Sequence, residues 1–385
     1  MPKRKRDVDD IISNTSFVEL PQDVVGEILE KLPVKSLLRF KAVSKLWRRE
    51  IESRRFQKRH LRHEQKSRDP SILVCHPRLD QGTKLASLRT LSVGAASVSF
   101  ETHTQYPVDT TTRSYMLRST RSCDGLTCIY SETFMYVVNP TTRWYRRLPE
   151  ARCQAFFRDT KNQFFVGYPG FGKDNITGIY KLVWLYNSHC VDLYDGQTNT
   201  CEIFSFDTNN TWRYDVIVSS PHPMLRQKVP AHAHGSLHWF IDAVTETQVL
   251  AFDLHTETFT VMANIPVAHA PHPRISMCTL NDRLCLSEDK GNTQTIWSLN
   301  QDNMTWHKTF SINLRATLSC IEEENIFPIP PVASLFNNRL LLYDDSDHDR
   351  KLVIFNYRLN SYGEIFNPRY LVGAISFSES LITLP

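Results

Sequence analysis

Val24, Val25, Ile28, Leu29 and Leu32 recur at intervals of one and four residues, a helical stripe that no strand produces. Gln22, Asp23 and Glu27 fall in its first turns, where carboxylates favour the positive end of a helix. Pro33 ends that helix and opens the next, because the first helical position needs no amide donor. Leu37, Leu38 and Phe40 crowd the second helix, and Ser44 is the expected cap of a third that carries Leu46, Trp47 and Ile51. Three short amphipathic helices in about forty residues cannot bury a self-sufficient core. Their apolar surface is therefore expected to meet a partner protein. An ordinary three-helix start packed on its own downstream domain is the bland alternative.

From about residue 70 the texture changes to short β-branched and aromatic runs between Asn, Asp, Thr and Gly clusters. One pattern repeats: an apolar strand, a polar turn with Asn or Asp, then an aromatic opening a second strand. It occurs at 136–148, 203–216, 249–262, 295–309 and 352–365. Its aromatics Trp144, Trp212, Phe259, Trp306 and Tyr362 recur at intervals that suit four-stranded blades arranged radially. Asn and Asp set such turns by bonding their own backbone, and the aromatic packs across the pair or between blades. The expected fold is α+β by segments: a small three-helix start, then a large all-β, propeller-like domain. A β-sandwich is the alternative closure.

The chain has 385 residues, and 41% hydrophobic with 22% charged side chains places it among soluble globular proteins. It holds no run of eighteen apolar residues, so no membrane partner is expected. MPKRKRDVDD has no apolar core and is not read as a signal peptide. Lys3, Arg4, Lys5 and Arg6 could serve as a nuclear import signal, and a solvated tail explains them equally well. Nine scattered cysteines without Cys-x-x-Cys spacing argue against a zinc site or a disulfide framework and for a reducing, nuclear and/or cytoplasmic setting. Charge is uneven. Residues 1–69 hold 18 Lys+Arg against 11 Asp+Glu, a balance of +7, which leaves −3 for the rest of a +4 chain. Few aromatics interleave those cations, so a solvated linker helix is expected there rather than a nucleic-acid surface.

The order Leu20-Pro21-x-Asp23, Ile28-Leu29-x-x-Leu32-Pro33-Val34-Lys35-Ser36-Leu37-Leu38-Arg39-Phe40, Val43-Ser44-Lys45-x-Trp47 resembles an F-box. Ser44 stands where many members carry cysteine. The resemblance implies a Skp-type adaptor as partner and, through it, the cullin and RING subunits of a ubiquitin ligase. It further implies that Leu20, Pro21, Ile28, Leu29, Leu32, Pro33, Leu37, Leu38, Val43 and Trp47 form or support the adaptor interface. Ser122-Cys123-Asp124-Gly125-Leu126-x-Cys128, Asn139-Pro140-Thr141-Thr142, Gly235-Ser236-Leu237-His238-Trp239 and Leu250-Ala251-Phe252-Asp253-Leu254 are similar, in that order, to the plant F-box-associated domain. Ile296-Trp297 and Trp306 resemble the late segment of its type-one subfamily. That resemblance implies a C-terminal interaction domain recruiting a protein target.

The expected organisation is a disordered basic tail over 1–15, an F-box over 16–57, a basic helical connector over 58–69 and the β domain over 70–385. Catalytic chemistry is weakly signalled. His232, His234 and His238 invite a metal, but Gly235 breaks the strand and no further ligand is spaced to complete a site. Asp344, Asp345, Asp347 and Asp349 lack the glycine and terminal glutamate of a calcium loop. Gly167–Gly172 is not followed by the Lys-Ser/Thr of a phosphate cradle, and its functional reading is a flexible loop on a binding face; Cys123 and Cys128 read as buried thiols. Phe156, Phe157, Phe171, Trp184 and Tyr186 are candidates for a binding face or for the core. No catalytic residue, cofactor or metal is expected. The chain is read as a non-catalytic substrate receptor, with a scaffold outside a ligase and a β-propeller hydrolase or oxidase as rivals. Replacing Leu32 and Pro33 by Ala is expected to abolish adaptor binding and leave the β domain folded.

Overall fold

The computed structural model describes residues 20–384 apart from 76–84, 94–97, 108–116, 132–133, 156–167, 188–198, 208–210, 219–227, 244, 263, 292, 314–328, 345–350 and 367–372. The tail over 1–15, with Lys3 to Arg6, lies outside them, as do Phe156, Phe157 and Asp345 to Asp349.

Pro21 and Pro33, with φ of −52° and −58°, set the entry to α1 (Gln22–Glu30) and α2 (Val34–Phe40). Ser44 caps α3 (Lys45–Glu52), its Oγ accepting from the Trp47 N–H at 3.1 Å. Ser53 repeats the device for α4 (Arg54–Ser67), accepting from the Phe56 N–H at 3.2 Å. Thus α4 begins before the expected connector, and it is not a solvated linker: Phe56, His60, Leu61 and Glu64 are buried. Leu29, Val34, Leu37, Ile51 and Phe56 form the small helical core, and Leu381 from far along the chain completes it.

The rest is strands. Blade 1 holds β1 (Ser71–Cys75), β2 (Leu85–Val93) and β3 (Val98–Pro107). Blade 2 holds β4 (Arg118–Ser119), β5 (Thr127–Tyr130), β6 (Met135–Asn139) and β7 (Trp144–Arg147). Blade 3 holds β8 (Gly170–Lys173), β9 (Tyr180–Asn187), β10 (Asn199–Ser205) and β11 (Trp212–Val218). Blade 4 holds β12 (Ala231–Ala233), β13 (Ser236–Ala243), β14 (Glu246–Asp253) and β15 (Phe259–Met262). Blade 5 holds β16 (Ile275–Leu280), β17 (Arg283–Asp289), β18 (Thr293–Asn300) and β19 (Thr305–Asn313). Blade 6 holds β20 (Pro331–Leu335), β21 (Arg339–Asp344), β22 (Lys351–Asn356) and β23 (Ser361–Phe366). Finally β24 (Ala374–Phe377) returns to pair with β1, Leu73 opposite Ile375, and makes blade 1 four-stranded.

Closure follows from the cores. Each pair of neighbouring blades shares one: Tyr130 and Val137 of blade 2 pack with Leu182 and Trp184 of blade 3. Ile72 and Leu91 of blade 1 meet Leu341 and Leu352 of blade 6 and close the ring. Six sheets sharing six interfaces make a six-bladed propeller, whereas a β-sandwich has one core between two sheets. The sandwich alternative is therefore excluded.

The five sequence repeats are the outer hairpins of blades 2 to 6. Asp253 Oδ1 accepts from the N–H groups of His255 and Thr256 at 2.8 and 2.7 Å, and Asn356 Oδ1 from those of Arg358 and Leu359 at 3.1 Å. Phe259 packs on Phe252 at 4.6 Å and Tyr362 on Phe355 at 4.7 Å.

One loop expectation fails. Residues 170–172 are the innermost strand of blade 3, and Phe171 is buried. A Cβ on Gly172 would sit 2.4 Å from His232 Cδ2, so the glycine is there because an inner strand of the next blade approaches closely. Gly172→Ala is expected to destabilise by about 1–3 kcal/mol, read as a lower urea midpoint; an unchanged midpoint would show that the contact relaxes freely.

Candidate functional site

Helix α1 has two apolar rows. Leu29 points inward with the half-buried Val25, and Ile28 and Val24 point out. Leu20, Val24 and Ile28, with Val43 and Leu46 at the edge of α3, are 40–61% exposed. Leu32, Pro33, Leu38 and Trp47 are half-buried. Of the ten residues assigned to an adaptor interface, Leu29 and Leu37 are buried in the helical core beneath the exposed strip, at 1% and 0% exposure. Val24 and Leu46 belong to the exposed strip although the motif did not name them. Their signal was the spacing: Leu20, Val24 and Ile28 lie four residues apart.

The strip sits on a braced unit. Arg59 reaches Glu30 of α1 and, at 3.7 Å, Glu50 of α3, with its guanidinium over the Phe56 ring at 5.6 Å. His60 Nε2 donates to the Leu32 carbonyl at 2.8 Å. Burial holds the His60 pKa below its usual value, only partly offset by that carbonyl and by Glu64, so the ring is neutral at pH 7. The segment after β24 ties this unit to the ring. Asn139 Nδ2 donates to the carbonyls of Ser380 and Ile382 at 3.0 Å, and Ile382 and Leu384 enter the core shared by blades 2 and 3 together with Leu61 of α4.

On the helix side of the ring, inner strands and their turns, with His232 from blade 4, Arg62 and Gln65 from α4 and Arg68 just after it, surround an axial mouth of about 940 Å3. Asp124 accepts from Lys173 Nζ and from the Tyr180 hydroxyl at 2.7 Å. Asp69 accepts from Arg339 at 2.8 Å and from the Phe336 N–H. Arg121 donates to the Met277 carbonyl, and burial lowers its pKa.

The catalytic candidates disperse. His232 faces this mouth, His234 occupies the β12–β13 turn at φ 53°, and His238 is buried opposite Ala231. Among the described residues no three metal-ligating side chains cluster. Burial pushes the Cys123 and Cys128 thiols up, so both stay protonated. Phe171, Trp184 and Tyr186 are core, not binding face.

The architecture is thus a braced helical unit with an open apolar strip, set on a six-bladed ring. The F-box domain family matches residues 17–59, and the family described as F-box associated beta propeller domain matches residues 82–367. The chain belongs to this family, with the F-box N-terminal and the propeller following it. It is 38% identical over 375 residues to the F-box/LRR-repeat/kelch-repeat protein At1g09650 of Arabidopsis thaliana, covering 95% of this chain and 97% of that one. To the F-box protein At5g10340 of the same plant it is 40% identical, covering 97% and 86%.

Proposed function

We propose that the chain is the substrate-recruiting receptor of an SCF-type cullin-RING ubiquitin ligase. The observation that carries this reading is the exposed row Leu20, Val24 and Ile28 with Val43 and Leu46, held by helices whose other faces are filled. Such a rigid apolar patch matches what a hot-spot surface offers a partner. In this reading the Skp-type adaptor covers the strip and brings the cullin and RING subunits, while the propeller takes the target. The chain contributes no catalytic group and needs no cofactor. It accelerates transfer by holding a target lysine near a charged carrier enzyme. The working compartment is nuclear and/or cytoplasmic.

Leu32→Ala with Pro33→Ala is a blunt test, because Leu32 also packs on the helical core and its carbonyl holds His60. Ile28→Glu with Leu46→Glu changes only exposed positions. It is expected to weaken adaptor binding at least about 100-fold in a pull-down and by calorimetry, with an unchanged far-ultraviolet circular dichroism spectrum. Undiminished binding would overturn the reading. Adaptor captured without cullin from plant extract would favour a scaffold role.

A further inference from the structure

On α4, Arg54, Lys58, Arg62 and Lys66 follow one another at four-residue spacing, which sets them in a single row along the helix. All four are exposed, as is the flanking Arg55, and none pairs with a carboxylate among the described residues. Arg59 and Arg68, off the row, do form such pairs. Like charges four apart destabilise a helix, so the row is not explained by the stability of α4.

The row runs to the axial mouth. Lys58 Nζ lies over the β8–β9 turn, 3.9 Å from where a Cβ of Gly178 would stand, and Arg62 lines the cavity itself. Further in, Arg121 uses one donor on the Met277 carbonyl, while its Nε is buried with no partner and no described carboxylate pairs with the group. A guanidinium carries five donors, and leaving them unused away from water is costly. The same mouth offers acceptors: Asp282, unpaired among the described residues, and the amides of Asn281, Asn337 and Asn338.

An occupant that satisfies both sets carries carboxylates and N–H donors together. A peptide does so, whereas a phosphodiester backbone presents acceptors alone and would meet Asp124 and Asp282 unfavourably. The cavity, about 940 Å3, is also far larger than a lone oxyanion requires. From Arg54 to Lys66 the row spans about 18 Å, the length of roughly five or six extended residues.

We propose that the helix-side mouth of the propeller docks an extended acidic segment of a partner protein, its carboxylates along the α4 row and one of them on Arg121. This rests on the receptor reading in taking that partner to be the target, and it places recognition on the face that carries the F-box.

The test uses the full chain and a fluorescein-labelled twelve-residue peptide alternating Glu and Ala, read by anisotropy. Binding is expected, weakening as salt rises, and at least tenfold weaker for Lys58→Glu with Arg62→Glu and for Arg121→Gln. A matched Lys/Ala peptide should not bind. No binding of the acidic peptide, or binding indifferent to the surface pair, overturns the proposal even if Arg121→Gln fails to fold. Displacement by millimolar inorganic phosphate would make the mouth a small-anion site and overturn it. So would tighter binding of a single-stranded RNA oligonucleotide that is lost in the same variants. Adaptor capture, measured in parallel, should be equal in wild type and in Lys58→Glu with Arg62→Glu. Its absence alongside intact peptide binding would sink the receptor reading and leave the docking site standing.

Discussion

Removing residues 378–385 is expected to release the helical unit from the ring and to destabilise the protein more than any single change in the helices. The deletion withdraws Leu381 from the helical core, Ile382 and Leu384 from the core between blades 2 and 3, and the carbonyls that satisfy Asn139. Leu381→Ala alone should cost about 2–5 kcal/mol, the usual range for emptying a buried leucine. Gly125→Ala attacks the same seam from the other side. At φ +81° its Cβ would stand 2.4 Å from the Ser378 carbonyl oxygen, which is backbone and cannot swing away. Hydrogen exchange reads the outcome directly, since residues 22–67 should lose protection while blades 4 to 6, whose shared cores the segment does not enter, keep theirs. Equal protection in deleted and intact protein would show that the helices hold themselves.

The second large effect is acid sensitivity between pH 6.5 and 4. Burial pushes the His238 pKa down to about 4. Across that window the unfolded chain binds a proton that the folded chain refuses, so stability is full above pH 6.5 and falls as the pH drops toward 4. His238 alone should remove about 2 kcal/mol by pH 5. Burial shifts His60 and His232 in the same direction, and they add to it. Asp174 does not blur the window. Burial raises its pKa, but hydrogen bonds from Thr177, Ile176 and His255 outweigh that and hold it at about 2, so its contribution is lost only below pH 4. Urea titrations at pH 7, 6 and 5 should show the decline, and His238→Gln should lessen it, leaving the part due to His60 and His232. A wild-type midpoint constant over that range would refute the argument.

The helices were legible because α1 to α3 are set by short-range signals: Pro21, Pro33 and Ser44 start them, and four-residue spacing aligns their faces. The outer hairpins were legible for the same reason, since Asp253 or Asn356 folds its own turn. Closure was not. Pairing β24 with β1 joins residues some three hundred apart, and nothing in either strand names its partner. The inner strand over 170–173 is hidden within the glycine-rich run 167–172, because glycine marks both flexibility and close approach, and only the neighbouring His232 tells them apart. On the helices, the motif named Leu29 and Leu37 beside Ile28 without separating outside from inside, which a shared stripe cannot do until α4 covers one side. The cationic row of α4 was visible as charge. Its relation to Arg121 depends on the ring and was not.

The segment that follows β24 also sets when this protein becomes itself. Every other described element is translated before residues 373–384, yet blade 1 lacks a strand and the helical core lacks Leu381 until they emerge. At about 5–20 residues per second, the nascent helices wait on the order of tens of seconds, unfinished. A chain that lacks these residues therefore carries its three N-terminal helices on a core without Leu381.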